Sequence, residues 1–248
     1  MIALYRLLAL AAFLLAWWIA ATYAGTAMIP SPGETLAAAR SMAAEGRLWT
    51  ALGESLTVYG SGYLLAIAAG VPLGLLMGGF RPFGRTLDIY VNALTATPRV
   101  AFIPLIIVLL GLGYEAKVAI VFLGAVMPIV INTYAGVLNA DGELVEMARA
   151  SGATRPQIFR RILLPGALPF IVVGLRLGAT IGLINTVVAE LYTAVRGLGG
   201  LLAIYGNTFQ MAPYFVVVFV LAAIGTLVTT GLRLIEVRTE RWRYDGNG

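Results

Sequence analysis

Apolar residues gather into six long runs, at about residues 7–24, 55–80, 95–112, 117–138, 168–191 and 214–234. Each is near the roughly 20 apolar residues that take a helix across a hydrocarbon core. The pattern predicts an all-α membrane protein of six transmembrane helices, forming one domain over residues 1–248. The first run follows a single basic residue, Arg6, and exceeds a usual signal-peptide core, so a retained span is favoured. A cleaved leader is the alternative, because Thr22-Tyr23-Ala24 loosely resembles a cleavage site. Between the runs, residues 25–54 are polar and can form a surface helix over 35–48. Residues 195–213 are Gly-rich and partly apolar, which suits a segment dipping into the membrane interface. The most polar stretch of the chain is residues 139–165.

Composition supports the membrane reading. Apolar residues make up 60% and charged residues 12% of the chain, and mean hydropathy is +0.89. Soluble domains carry about 25% charged residues. Cysteine and histidine are both absent. That excludes disulfides, thiolate or imidazole metal sites, and triads with a histidine base. No metal site and no catalytic constellation is expected.

The net charge of +5 reads as a positive-inside bias rather than as a nucleic-acid footprint. With the N-terminus inside, eleven basic residues fall in cytoplasmic segments, among them Arg81, Arg85, Arg149, Arg155, Arg160 and Arg161. Arg40, Arg47, Lys117 and Arg196 fall outside. Both termini and the 139–165 loop are then cytoplasmic.

Gly70, Gly74 and Gly78 recur every four residues in the second span, and Gly174, Gly178 and Gly182 in the fifth. Each set gives one helix face bare of side chains, so that backbones can approach closely in lipid. Packing within the subunit is favoured over a subunit–subunit contact.

The polar loop is more specific. Asp141 can cap a short helix running through Ala150, and Gly152 can supply its left-handed end. Ala148 and Gly152 lie four apart and share a face nearly bare of side chain. Thr154 can cap a second helix with Pro156 in its first turn, ending at Pro165 where the fifth span begins. Glu146-Met147-Ala148, three residues, Gly152, nine residues, Ile162, one residue and Leu164-Pro165 follow in order. This resembles the EAA loop of ATP-binding-cassette (ABC) importer permeases. Met147 stands where the motif has alanine, which implies an altered contact rather than a lost one. Ile29-Pro30-Ser31-Pro32, Gly70-Val71-Pro72-Leu73-Gly74, Ile103-Pro104-Leu105, Gly111-Leu112-Gly113 and Arg196-Gly197-Leu198-Gly199 resemble the nitrate/sulfonate/taurine branch of that family.

The resemblance implies a type I ABC importer permease fold with cytoplasmic EAA coupling helices, in a bacterial inner membrane. Glu146, Ala148, Gly152, Ile162, Leu164 and Pro165 would couple to the ATPase. The implied partners are a second copy of the chain, two cytoplasmic ABC ATPases, a periplasmic or lipid-tethered substrate-binding protein, and membrane lipid. The chain has no Walker A pattern, so no cofactor is expected in it, and ATP and Mg would sit on the partner ATPase. The implied cargo is a small anion such as a sulfonate, taurine, nitrate or an aromatic carboxylate. A pyrimidine or riboflavin-like vitamin is the alternative cargo. An ion-coupled secondary transporter is a remote rival, which the EAA loop argues against.

Polar residues inside spans are functional candidates by default. Asn132, Thr133, Asn185 and Thr186 can line a pathway or form hydrogen bonds between helices. Arg176 lies roughly 12 Å into its span at 1.5 Å per residue. It can attract an anion or hold carbonyls between helices. Glu190 is expected near the outer end of the fifth span, as a gate, an intersubunit contact or a solvated end. Arg99 is expected to snorkel to the surface.

Overall fold

The computed structural model describes residues 2–25, 28–193 and 196–244, with side chains from residue 4 to residue 234. Among these residues the chain forms eleven α-helices. They are α1 (Ile2–Ala24), α2 (Pro32–Ala44), α3 (Arg47–Gly79), α4 (Arg81–Ala96), α5 (Ile103–Leu110), α6 (Tyr114–Leu138), α7 (Gly142–Ala150), α8 (Arg155–Ile158), α9 (Leu164–Thr193), α10 (Gly197–Asn207) and α11 (Met211–Tyr244). Among the described residues five helices are long and apolar enough to cross a membrane, or six if the bent pair formed by Arg81–Ala96 and Arg99–Leu110 counts as one span.

That bent pair departs from the expected third span. Residues 95–112 do not form one rod. α4 ends at Ala96, and a 3-10 turn (Arg99–Phe102) leads into α5, with an 84° bend between the two arms. Pro98 is the cause. It lacks an N–H and pushes the preceding residue out of helical space, and Thr97 is extended at ψ 131°.

Contacts group the chain into two compact units: Met1–Thr57 with Glu190–Ile224, and Val58–Ala189 with Gly225–Gly248. In the first, the Pro-Ser-Pro segment has a clear local role. Ser31 caps α2 and Glu34 answers it in a capping box, with Pro32 in the first turn. The Pro30 carbonyl accepts from Trp17 Nε1 at 2.9 Å, which ties α1 to the start of α2. Trp17 also stacks on Phe215, 6.1 Å between ring centroids. Leu7, Leu8, Leu10 and Phe13 of α1 are exposed, the surface a helix presents to lipid.

In the second unit α6 is the central helix. The glycine face of α3 lies on one side of it. A Cβ on Gly70 would meet Ile129 Cγ2 at 2.9 Å, and one on Gly74 would meet Thr133 Cβ at 2.6 Å. The glycine face of α9 lies against it too: a Cβ on Gly178 would meet Ile129 Cγ1 at 2.8 Å. Both stripes therefore pack within the subunit. Ala125, Val126, Ile129 and Val130 form the buried layer that results. Lys117, counted among the basic residues of the outer side, lies in the first turn of α6 and is buried, at 7% exposure.

The loop at 139–165 also differs in one respect. The second surface helix does not stop at Pro165. α8 passes through a π turn (Phe159–Leu163) into α9, and the Leu164 N–H reaches back to the Phe159 carbonyl. Pro165 has no N–H to offer Arg161, so the ladder widens by one residue at this point.

Candidate functional site

The α7–α8 hairpin is built by local hydrogen bonds. Asp141 Oδ1 accepts from the Glu143 N–H at 2.9 Å and satisfies an orphan donor of the first turn. At the other end the Ala153 N–H donates to the Ala148 carbonyl and the Gly152 N–H to that of Arg149, both at 2.9 Å. These are the two bonds of a Schellman motif. Gly152 sits at φ +78° as the motif requires, and a Cβ there would meet nothing within 4 Å. The Thr154 N–H donates to Gln157 Oε1 at 2.7 Å and starts α8.

The hairpin separates the six predicted coupling residues into two groups. Glu146 and Gly152 are exposed and Ala148 is half-buried. Beside them Met147 is 61% exposed, more than Leu144, the other exposed large apolar side chain of α7. Ile162, Leu164 and Pro165 are half-buried where the π turn enters α9. They connect the hairpin to the span instead of facing outward. A groove of about 770 Å³ adjoins the hairpin, and its charged lining residues are Arg81, Arg149 and Arg155.

Two roles were open to the neutral polar residues of the spans, lining a pathway or bonding between helices, and the hydrogen bonds of Asn132, Asn185 and Thr186 show no bridge to another helix. Asn132 Nδ2 donates to the Pro128 carbonyl at 2.8 Å, Asn185 Nδ2 to Ile181 at 2.9 Å, and Thr186 Oγ1 to Gly182 at 2.9 Å. Each bond stays within its own helix. Thr133 is fully buried against Gly74, and its Oγ1 has no partner among the described residues. Arg176 is half-buried in α9.

Glu190 is no solvated end: it is 1% exposed. Its carboxylate accepts from Ser55 Oγ at 2.8 Å and from the Gly199 N–H at 2.8 Å. Ser55 Oγ in turn accepts from the Leu198 N–H at 2.8 Å, and Glu54 Oε2 from the Gly197 N–H at 2.9 Å. The free amides opening α10 are thus held by two carboxylates and a hydroxyl, as the positive end of a helix favours. Glu54 and Ser55 carry no motif, and the sequence hid their role.

Arg99 does not snorkel. Its Nη1 donates to the Gly124 carbonyl at 3.0 Å. In a regular helix that carbonyl would accept from residue 128, which is proline. The guanidinium supplies the donor that Pro128 lacks. Among the described residues no group of three or more His, Cys, Asp or Glu side chains could hold a metal ion.

Comparisons with known proteins agree with this architecture. Residues 70–241 match the family described as "Binding-protein-dependent transport system inner membrane component". The taurine transport system permease protein TauC of Escherichia coli (strain K12) is 30% identical over 94% of this chain and 87% of its own length. The putative aliphatic sulfonates transport permease protein SsuC of the same strain is 36% identical over 91% of this chain and 87% of its own. A chain of the MetNI methionine ABC transporter, solved in inward-facing conformations, superposes with a TM-score of 0.65 and 25% identity, covering 75% of this chain and 93% of that one. The family works with a substrate-binding protein and with an ATPase that hydrolyses the ATP. The chain belongs to this family of binding-protein-dependent inner membrane components, as a membrane-spanning, non-catalytic permease subunit of an ABC importer.

Proposed function

We propose that this permease carries a small organic anion of the sulfonate class, and that the α7–α8 hairpin is the surface on which the partner ATPase docks. Two copies of the chain would form the pathway, with two ATPases on the cytoplasmic face and a binding protein on the other. Both termini would be cytoplasmic. The cargo reading rests on the taurine and aliphatic sulfonate permeases, which this chain resembles over nine-tenths of its length. ATP and Mg belong to the ATPase on this reading. Closure of the ATPase dimer would pull on the docked hairpins, and the helix from Arg155 to Thr193 would pass that motion into the membrane as a rigid-body change of access.

The single observation that carries the docking reading is the exposure of Met147 at the centre of a firmly capped α7. A large apolar side chain held in water this way suits burial in a partner's groove. Met147→Asp places a charge there without touching the caps. Affinity purification of the permease with its co-expressed ATPase is expected to recover at least tenfold less ATPase from Met147→Asp. Met147→Ala, which restores the usual residue of the motif, is expected to stay within twofold of wild type. Equal recovery from all three proteins would refute the docking surface.

A further inference from the structure

We propose that Arg99 is the charge that receives the anionic headgroup of the substrate inside the membrane, at a polar site shared with Asn185; this rests on the anion reading above. Three segments converge on one peptide of α6. The turn leading into α5 contributes Arg99, whose Nη1 donates to the Gly124 carbonyl at 3.0 Å. From α9 comes Asn185, whose carboxamide would collide with a Cβ on Gly124. Gly124 is thus gripped at its carbonyl by one residue and at its Cα by the other. All three belong to the unit Val58–Ala189 with Gly225–Gly248.

The charge balance makes this place unusual. A cation at membrane depth is expensive and is normally paired or put to use. No carboxylate pairs with Arg99 among the described residues. The Gly124 carbonyl takes up one of the five N–H donors of a guanidinium. Arg99 is half-buried, and its other N–H donors have no hydrogen-bond partner among the described residues. A planar fork is matched to the paired oxygens of a carboxylate, and sulfonate presents the same spacing. Fixing one donor on a carbonyl removes much of the side-chain freedom that binding would otherwise have to quench.

The surroundings fit a site closed on one side. One helical turn further along each segment, toward the turn at 111–113, the polar character ends. Ile103, Ile120 and Ala189 are buried there, packed by Ile106, Ile107 and Val188. An apolar layer next to a lone cation keeps water from that side and strengthens the attraction for an anion in the remaining space.

The rival role is structural: Arg99 only replaces the N–H missing at Pro128. Two variants separate the roles. Pro128→Ala gives Gly124 its own helical donor, so Arg99 is no longer needed as a clamp. Arg99→Gln keeps an amide able to reach the carbonyl but removes the charge. ATP-driven taurine uptake is measured in proteoliposomes holding the whole transporter and its binding protein. Uptake by Arg99→Ala/Pro128→Ala is expected to remain at least tenfold below Pro128→Ala alone, and Arg99→Gln at least tenfold below wild type. Recovery of the double variant, or retention by Arg99→Gln, to within twofold of its reference overturns the proposal. Should the wild-type transporter take up a neutral pyrimidine but neither taurine nor an alkanesulfonate nor nitrate, the anion reading fails and this inference fails with it. Anion uptake by wild type together with recovery in the variants refutes the inference alone.

Discussion

A Cβ on Gly74 would lie 2.6 Å from Thr133 Cβ and 2.7 Å from the Val130 carbonyl oxygen. Neither atom is the free end of a flexible chain, so neither can step aside cheaply. Gly74→Leu is therefore expected to force α3 away from α6 and destabilise the subunit by about 1–3 kcal/mol, the usual range for overpacking. A fall in the temperature at which the detergent-solubilised protein loses its monodisperse form checks this, and an unchanged temperature would count against the close packing. The four-residue glycine spacing was readable in the sequence because helical periodicity is local. That both stripes serve the same central helix was not readable, since spacing says nothing about which surface comes to fill it. Arg99 and Pro128 show the same limit. Each was plain in the sequence, yet the donor that one lends to the turn weakened by the other crosses 25 positions of chain.

Among the elements, the α7–α8 hairpin was the most legible part. Asp141, Gly152 and Thr154 act on amides within a few residues of themselves, so residue type and spacing were enough to place both caps. The third span was misjudged because mean hydropathy over a window reports suitability for lipid and not straightness; Pro98 breaks a run that is apolar on average although Thr95, Thr97 and Arg99 flank the break. The fifth apolar run lies inside α9 (Leu164–Thr193), but the form of its junction with the hairpin was not legible. The π turn depends on which carbonyls lose their donors at Pro165. Restoring that N–H with Pro165→Ala is expected to let the turn relax to a regular α-helix. Removing one residue from a turn rotates the hairpin by roughly 100° about the span axis, at 3.6 residues per turn. ATPase recovery should then stay within twofold of wild type, while substrate carried per ATP hydrolysed falls at least fivefold. An unchanged transport ratio would show that the widened turn plays no part in coupling.

At the scale of the whole molecule, charge sets the orientation. The hairpin and its neighbouring groove gather arginines, and on the proposed topology that end is cytoplasmic, the side the positive-inside rule favours for them. The chain has no cysteine, so single-cysteine variants can be read without background. Met147 and Trp49 are 61% and 62% exposed and fall on opposite sides of the proposed topology. A membrane-impermeant maleimide applied to right-side-out vesicles should label Trp49→Cys at once and Met147→Cys only after permeabilisation. The reverse order would invert the topology.

The central claim is that motion delivered by a partner's ATP hydrolysis moves an anion through this subunit. The most direct measurement is taurine uptake into proteoliposomes containing permease, ATPase and binding protein, with ATP supplied only to the face bearing α7 and with all ion gradients collapsed. Uptake is expected to require ATP on that face and to stop when the ATPase is omitted. Uptake that continues without the ATPase, driven by an imposed proton or sodium gradient, would contradict it.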